Sequence, residues 1–452
     1  MIAQFDDRVA SQLQNRRALL VLFALGLVIR LILARHSEGL AFDVGLFREW
    51  SDRLVQRGPA RFYETGYFAD YPPGYLYVLF VLGKLSVLLR GEPPSVGVLK
   101  LPAIIADLGV ALFAGLLAAR LTRRTLTGWT TPPVAAAAAI LLNPGLILVS
   151  AVWGQVDSVL ALLVLAGIYA LAGPPGLMRE LFGVALFAIA IATKPQAVLA
   201  MPILAIVLVR RHLRSDVPAL RAWISVLARI TLYLVFATAI VVGMFAPFGV
   251  RPAQIPDFYQ NAGSVYRFTS LWAFNIWGVF GFYRRDVEPN ALTVGGVPAY
   301  YVALSVFAVA VAALMVLAWR SLSRRVDANA VALFGAVAVT CTAFALLTRM
   351  HERYLYFAVV GLAPFAAYAI FRRALALVSV LFFLNVHFVY VLFSRPGTQE
   401  DRAWTIGPIY NAFFGMATDA WQRKAFSVAT AILCLAIAAL GWRWLEKQNA
   451  EA

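Results

Sequence analysis

Apolar residues in this chain fall in long blocks broken by short polar stretches. A helix needs roughly 17–25 mostly apolar residues to cross ~30 Å of hydrocarbon. Such blocks recur near 18–34, 99–119, 132–150, 155–172, 181–193, 195–209, 222–247, 298–320, 328–347, 353–371, 374–394 and 424–445. A further block, 72–90, opens on the turn Tyr71-Pro72-Pro73-Gly74. In lipid every backbone polar group must be satisfied within its own segment. The pattern therefore predicts an all-α polytopic membrane protein with about 12 transmembrane helices in a single integral membrane domain, 1–452. No small-residue cleavage site follows the first block, which reads as a retained helix.

Between the blocks lie two longer polar regions. The first, 35–98, contains FDVGLFREWSDRLVQRG (42–58). Phe47, Trp50 and Leu54 repeat at i, i+3 and i+7, with Arg48, Glu49, Asp52, Arg53 and Arg57 around the rest, as in an amphipathic surface helix. The second, 249–297, carries the aromatic stretch SLWAFNIWGVFGFY, which is short for a span and suits an interface.

Composition agrees with the blocks: 62% of residues are hydrophobic and 14% charged, which excludes an ordinary soluble globule. The net charge of +16 does not point to nucleic acid, because the basic residues sit in short loops between spans. Arg120, Arg123 and Arg124, then Arg210, Arg211 and Arg214, then Arg320, Arg324 and Arg325, then Arg372 and Arg373 mark cytoplasmic loops, and Arg8, Arg16 and Arg17 place the N-terminus there too. WGQVD (153–157), KPQ (194–196) and MHERY (350–354) then face the other side. These facts agree only if an even number of crossings separates the N-terminus from the 120–131 loop. The 72–90 helix is accordingly expected at the outer interface, as part of the first outer loop, with Tyr71, Tyr75 and Tyr77 as interfacial anchors. An ordinary span is the alternative. Cys341 and Cys434 lie in apolar runs and suggest neither a disulfide framework nor a metal site.

Ionisable residues in or beside spans are costly and mark functional sites. Here they gather on one side. Asp43 opens the first amphipathic helix, Asp70 precedes the Pro-Pro turn, and Lys100 and Asp107 lie in the 99–119 helix, Asp107 being ~12 Å from its outer end. Trp153, Gln155 and Asp157 form one hairpin tip. Lys194 and Gln196 form another, interrupted by Pro195, and Arg349, His351, Glu352 and Arg353 a third. Carboxylates facing cations suit sugar transfer from a lipid phosphate: a carboxylate takes the acceptor proton and fixed cations stabilise the departing phosphate. Each element also has a structural reading. Asp43 could cap its helix, Asp107 could pair with Lys100, WGQVD could be a capped turn anchored by tryptophan, and Glu352 with Arg353 could be a snorkelled pair. His387 reads as a packing residue.

The order of an early Asp, YPP, KLPAIIAD, NP…AVWGQVDS, ATKPQA and MHERYL resembles the GT-C superfamily of polyprenyl-phosphate-sugar glycosyltransferases, over about residues 16–394. It is most similar to bacterial relatives of the second mannosyltransferase of GPI-anchor assembly and, more distantly, to dolichyl-phosphate-glucose glucosyltransferases. The resemblance implies Asp43 as catalytic base and a non-spanning helix after YPP. It implies Asp107, Gln155 and Asp157 in the substrate pocket, to which the gathering of residues on one side adds Asp70, Trp153, Gln196 and Glu352. It also implies His351 and Arg353 near the donor phosphate and matches Lys194 to a Lys-Gln pair; the cation cluster at the helix ends adds Lys194 and Arg349 to the phosphate-binding set. It implies no metal and no cofactor, a polyprenyl-phosphate sugar donor (mannose favoured), a glycolipid or glycan acceptor, and an inverting reaction on the outer face of a bacterial plasma membrane. The competing expectation is a transporter or flippase of a lipid-linked sugar or anionic solute, which would place its charges near the bilayer midplane in two similar halves.

Overall fold

The computed structural model describes residues 16–122, 131–213, 216–394 and 421–450, and its secondary structure is helical apart from two-residue strand pairs. Arg8, Arg123, Arg124 and Arg214 lie outside the described residues. The helices are α1 (Arg16–His36), α2 (Ala41–Arg57), α3 (Pro73–Arg90), α4 (Val96–Leu121), α5 (Pro132–Leu141), α6 (Pro144–Ile147), α7 (Asp157–Ala172), α8 (Leu177–Ile191), α9 (Met201–His212), α10 (Ala219–Phe245), α11 (Ile255–Ser264), α12 (Ala299–Ser323), α13 (Ala328–Leu346), α14 (Tyr356–Leu362), α15 (Ala369–Ser394) and α16 (Trp421–Ala450). Eight helices among the described residues are long and apolar enough to cross a membrane. Their outward faces are apolar: Leu20, Val21, Leu25 and Val28 on α1 and Leu304, Val306 and Val309 on α12 are exposed. A water-soluble fold would bury such residues. This is an integral membrane protein whose solvent over those faces is lipid.

The centre of the bundle is α13. Its Ala, Val, Gly, Thr and Cys side chains are small enough for close approach of neighbours, and 89% of its apolar window is buried. Asp327 caps its start, accepting from the backbone N–H of Asn329 (2.8 Å) and Ala330 (3.2 Å). The hydroxyls of Thr340 and Thr342 donate to the carbonyls of Ala336 and Ala338 one turn back, so neither is orphaned in the core.

Three of the expected continuous spans are broken, each with a proline in the break. The 132–150 block bends by 46° between α5 and the helix that follows. Pro144 disfavours helix at Asn143, and the freed Asn143 side chain accepts from the N–H of Gly145 and Leu146. The turn continues as a π-helical stretch, Leu148–Trp153. Block 195–209 opens as a 3-10 turn at Pro195–Ala200 before α9, and 353–371 is divided by 3-10 turns at Glu352–Leu355 and Ala363–Phe365. Helix α7 is also short, at sixteen residues.

The 35–98 region folds as the sequence pattern predicts for α2. Val44, Phe47, Trp50 and Leu54 are buried, while Arg48, Glu49, Asp52 and Arg57 ring the other side. Helix α3 meets the length and apolarity of a span, yet it lies parallel to α2 and in step with it. Phe47 meets Tyr75 at 5.4 Å, Ser51 Oγ donates to the Leu79 carbonyl at 2.9 Å, and Lys84 Nζ to that of Val55 at 3.5 Å.

Candidate functional site

Helix α1 ends at His36, and two glycines shape the crossing that follows. Gly39 (φ +78°) and Gly154 (φ +92°) occupy left-handed backbone, and a Cβ at Gly39 would meet Val44 at 2.5 Å. This lets the start of α2 lie against the π-helical turn: Leu40 N–H donates to the Trp153 carbonyl at 3.1 Å. Asp43 is the third residue of α2, so it does not cap the helix; Leu40 holds that position. Its carboxylate instead accepts from Trp153 Nε1 at 2.7 Å.

A cavity of about 340 Å³ opens above this contact. Asp43, Asp70, Lys194, Gln196, His351 and Arg353 all line it, so six sequence-predicted residues from four separate stretches meet in one hollow. Each stretch is a helix end or connection. Lys194 follows α8 where Pro195 stops it, and Met350–His351 pairs as a two-residue parallel strand with Ser270–Leu271 before the Glu352 turn. That pairing sets the backbone of the MHER stretch against the 249–297 region, which also supplies Tyr259 and Tyr266 to the wall.

Behind the wall the charges are paired. Lys194 Nζ donates to Asp157 Oδ1 at 2.9 Å, and Arg353 Nη1 to Glu352 Oε1 at 2.9 Å. Arg353 Nε stands 3.6 Å from Asp157 Oδ2, beyond hydrogen-bond range, and both atoms are buried with no hydrogen-bond partner, as is Gln196 Oε1. Unmet buried polar atoms at a cavity wall are what a ligand or water satisfies. Burial raises the Asp70 carboxyl, with Arg353 and Lys194 pulling it back. Burial also raises Glu352, opposed by Arg353. Lys194 is lowered, by burial first, with Asp157 opposing. His351 is held well below its ordinary value by burial and by the Arg353 and Lys194 charges, so its imidazole is neutral near pH 7.

Other predicted residues lie elsewhere. Asp107 does not pair with Lys100 and does not reach the cavity. It is fully buried, accepting from Arg30 Nε (2.6 Å), Ser150 Oγ (2.6 Å) and the Tyr356 hydroxyl (2.7 Å). Lys100 Nζ donates to the carbonyls of Ser37 (2.6 Å) and Ala34 (3.5 Å), placing its charge at the C-terminal end of α1, where carbonyls lack partners. Arg349 does not line the cavity either: it pairs with the fully buried Asp286, Nε to Oδ2 at 2.7 Å, and packs on the Tyr300 ring. Gln155 is buried beneath Tyr71, whose hydroxyl donates to it at 3.4 Å. Trp153, Asp157 and Glu352 support the lining residues from behind.

The wall also includes Tyr71, Tyr259 and Tyr266, none of which the sequence marked as pocket residues. Arg30 was missed as well, although an arginine inside the first apolar block is itself a signal that a partner must exist.

No family model matches this chain, and no curated protein matches it. Among solved structures it is similar to ArnT from Cupriavidus metallidurans bound to undecaprenyl phosphate. The identity is 17%, the match covers 93% of this chain and 77% of that one, and the TM-score is 0.42.

Proposed function

We infer that the protein is a membrane glycosyltransferase that moves a hexose, mannose favoured, from a polyprenyl-phosphate carrier to an acceptor hydroxyl at the outer face of a bacterial plasma membrane. The observation that carries this reading is the shared cavity of Asp43, Lys194, His351 and Arg353. The acceptor oxygen attacks the anomeric carbon from the side opposite the phosphate. Its proton passes to Asp43, the bond from the anomeric carbon to the phosphate oxygen breaks, and polyprenyl phosphate leaves with its electrons, inverting the configuration. The Trp153 indole orients the Asp43 carboxylate through the 2.7 Å hydrogen bond.

The leaving phosphate is received by unused donors. Arg353 spends one N–H on Glu352 and Lys194 one on Asp157, leaving the other guanidinium and ammonium hydrogens for oxygen acceptors. Neutral His351 adds a hydrogen bond without charge. The mouth suits a lipid: exposed Phe42 and Val198 flank the polar wall and offer the prenyl chain an apolar path. The chemistry uses no metal and no cofactor. Transport fits less well, because the cavity charges lie at helix ends. The charged pair deeper in the bundle, Arg30–Asp107, is fully buried and internally satisfied.

The test is transfer from polyprenyl-phosphate mannose or glucose to a glycolipid acceptor by the purified protein. A general base contributes typically ~10²–10⁴-fold, so Asp43→Asn should reduce the rate by at least ~10². Transfer within severalfold of wild type would remove Asp43 from the mechanism.

A further inference from the structure

A second concavity lies at the opposite end of the molecule. A groove of about 650 Å³ runs between α5 and α15, walled by alanines that include Ala135, Ala138, Ala366 and Ala376. Arg372 stands in its wall, and Asn143 and Ser379, joined at 2.9 Å, close its floor. Its place in the membrane follows from two contacts. The Tyr368 hydroxyl donates to the carbonyl of Leu121, the last residue of α4. Lys100 lies at the cavity end of α4, so the Arg372 end is displaced along that helix by ~32 Å. Arg372 and Ser379 are seven residues apart on α15, so the groove reaches ~10 Å inward from that face. Asn143 follows α5, whose Leu141 carbonyl accepts from Arg30, the partner of mid-helix Asp107.

The guanidinium at the mouth has no charged partner among the described residues. Among the described residues neither Arg372 nor Arg373 has a carboxylate partner, and Arg372 makes one hydrogen bond, to the Ala366 carbonyl at 3.3 Å. Both side chains are exposed, and Arg372 lies in the first turn of α15, where the helix dipole opposes positive charge. Inside a bilayer, filling an apolar groove gains little over ordinary lipid contact, because lipid chains are as apolar as the wall. Discrimination must then come from the head group, and a basic side chain at the membrane surface selects an anionic one.

We propose that this groove is a binding site for an anionic diacyl phospholipid of the leaflet opposite the candidate active site. Its phosphate meets Arg372, and one acyl chain follows the alanine wall to Asn143. Arg373 faces a different groove, of about 460 Å³, between α15 and α16, which supplies an internal control.

The experiment is native mass spectrometry of the full chain, delipidated in mild detergent and offered phosphatidylglycerol, phosphatidylcholine or polyprenyl phosphate in equal amounts. Wild type should retain phosphatidylglycerol at least fivefold over phosphatidylcholine. Arg372→Gln should bring that preference close to unity, and Ala376→Leu, which fills the groove from an exposed position, should lower retention of phosphatidylglycerol at least threefold. Melting in detergent without lipid reports whether each variant is folded. The proposal is overturned by equal retention in wild type and Arg372→Gln. It is likewise overturned by loss in Arg373→Gln alone, or by selective capture of polyprenyl phosphate through Arg372.

Discussion

His351 shows how a residue can carry the expected position and a different electrostatic role. Its motif suggests a cation at a phosphate, but burial and the neighbouring Arg353 and Lys194 charges hold it neutral. Transfer should therefore show no limb near the ordinary histidine value of ~6.5, and His351→Gln should leave the shape of the pH–rate profile unchanged. A limb near that value that disappears in the variant would restore the cationic role. The stability consequence has a definite sign. The folded imidazole binds a proton less readily than the unfolded one, so below pH ~6.5 the unfolded chain takes up the extra proton. Stability from this residue is complete above that value and is lost as pH falls through the interval down to the folded value. Asp43 and Arg353 were legible because an acid or an arginine at a helix boundary is expensive in lipid. Tyr259 and Tyr266 were not, since a tyrosine at an interface has an ordinary anchoring explanation.

At the scale of elements, the Arg30–Asp107 pair joins α1 to α4, and its two further donors tie in the π-helical turn through Ser150 and α14 through Tyr356. Tyr356 lies three residues beyond Arg353, so this buried network braces the segment that presents the guanidinium. Removing one partner of a buried pair strands the other charge and costs about 3–5 kcal/mol. Asp107→Ala should lose that much in thermal or denaturant unfolding in detergent, and Arg30→Met with Asp107→Leu should recover most of it. An unaltered melting curve for Asp107→Ala would show that the pair contributes nothing to the fold. Seven of the twelve expected blocks form single helices long and apolar enough to span, and these were legible from block length alone. The breaks in other blocks were less so: proline marked each position, but whether a proline kinks, stops or merely opens a helix depends on what its freed carbonyls and side chains find nearby, as Asn143 finds Gly145, Leu146 and Ser379.

For the whole molecule, the decisive question is which side each helix end faces, and α3 carries it. It passes every local criterion for a span, yet it travels in parallel with charged α2, and Leu99 near the start of α4 packs in the same cluster as Phe47 and Tyr75. Helix α3 is ~27 Å long. The link from Arg90 to Val96 reaches at most ~22 Å, too little to return from the far face of ~30 Å of hydrocarbon. Cysteines at Glu64 and Glu92 should therefore react with an impermeant thiol reagent from the same side, and one at Arg325 from the other; the buried native Cys341 and Cys434 keep the background low. Opposite labelling of Glu64 and Glu92 would make α3 a span and reverse the sidedness of the first region. The sequence alone determined that the chain lives in a bilayer and that its costly charges gather at helix ends, because hydrocarbon penalises each polar group wherever it stands. It could not decide which charges meet. Asp107 and Arg349 carry the same local signature as Asp43 and Arg353, but close partners 77 and 63 positions away, Arg30 and Asp286, draw the first two out of the cavity. Only packing brings such distant residues into contact, so only the tertiary structure separated the charges that brace the fold from those left facing open space.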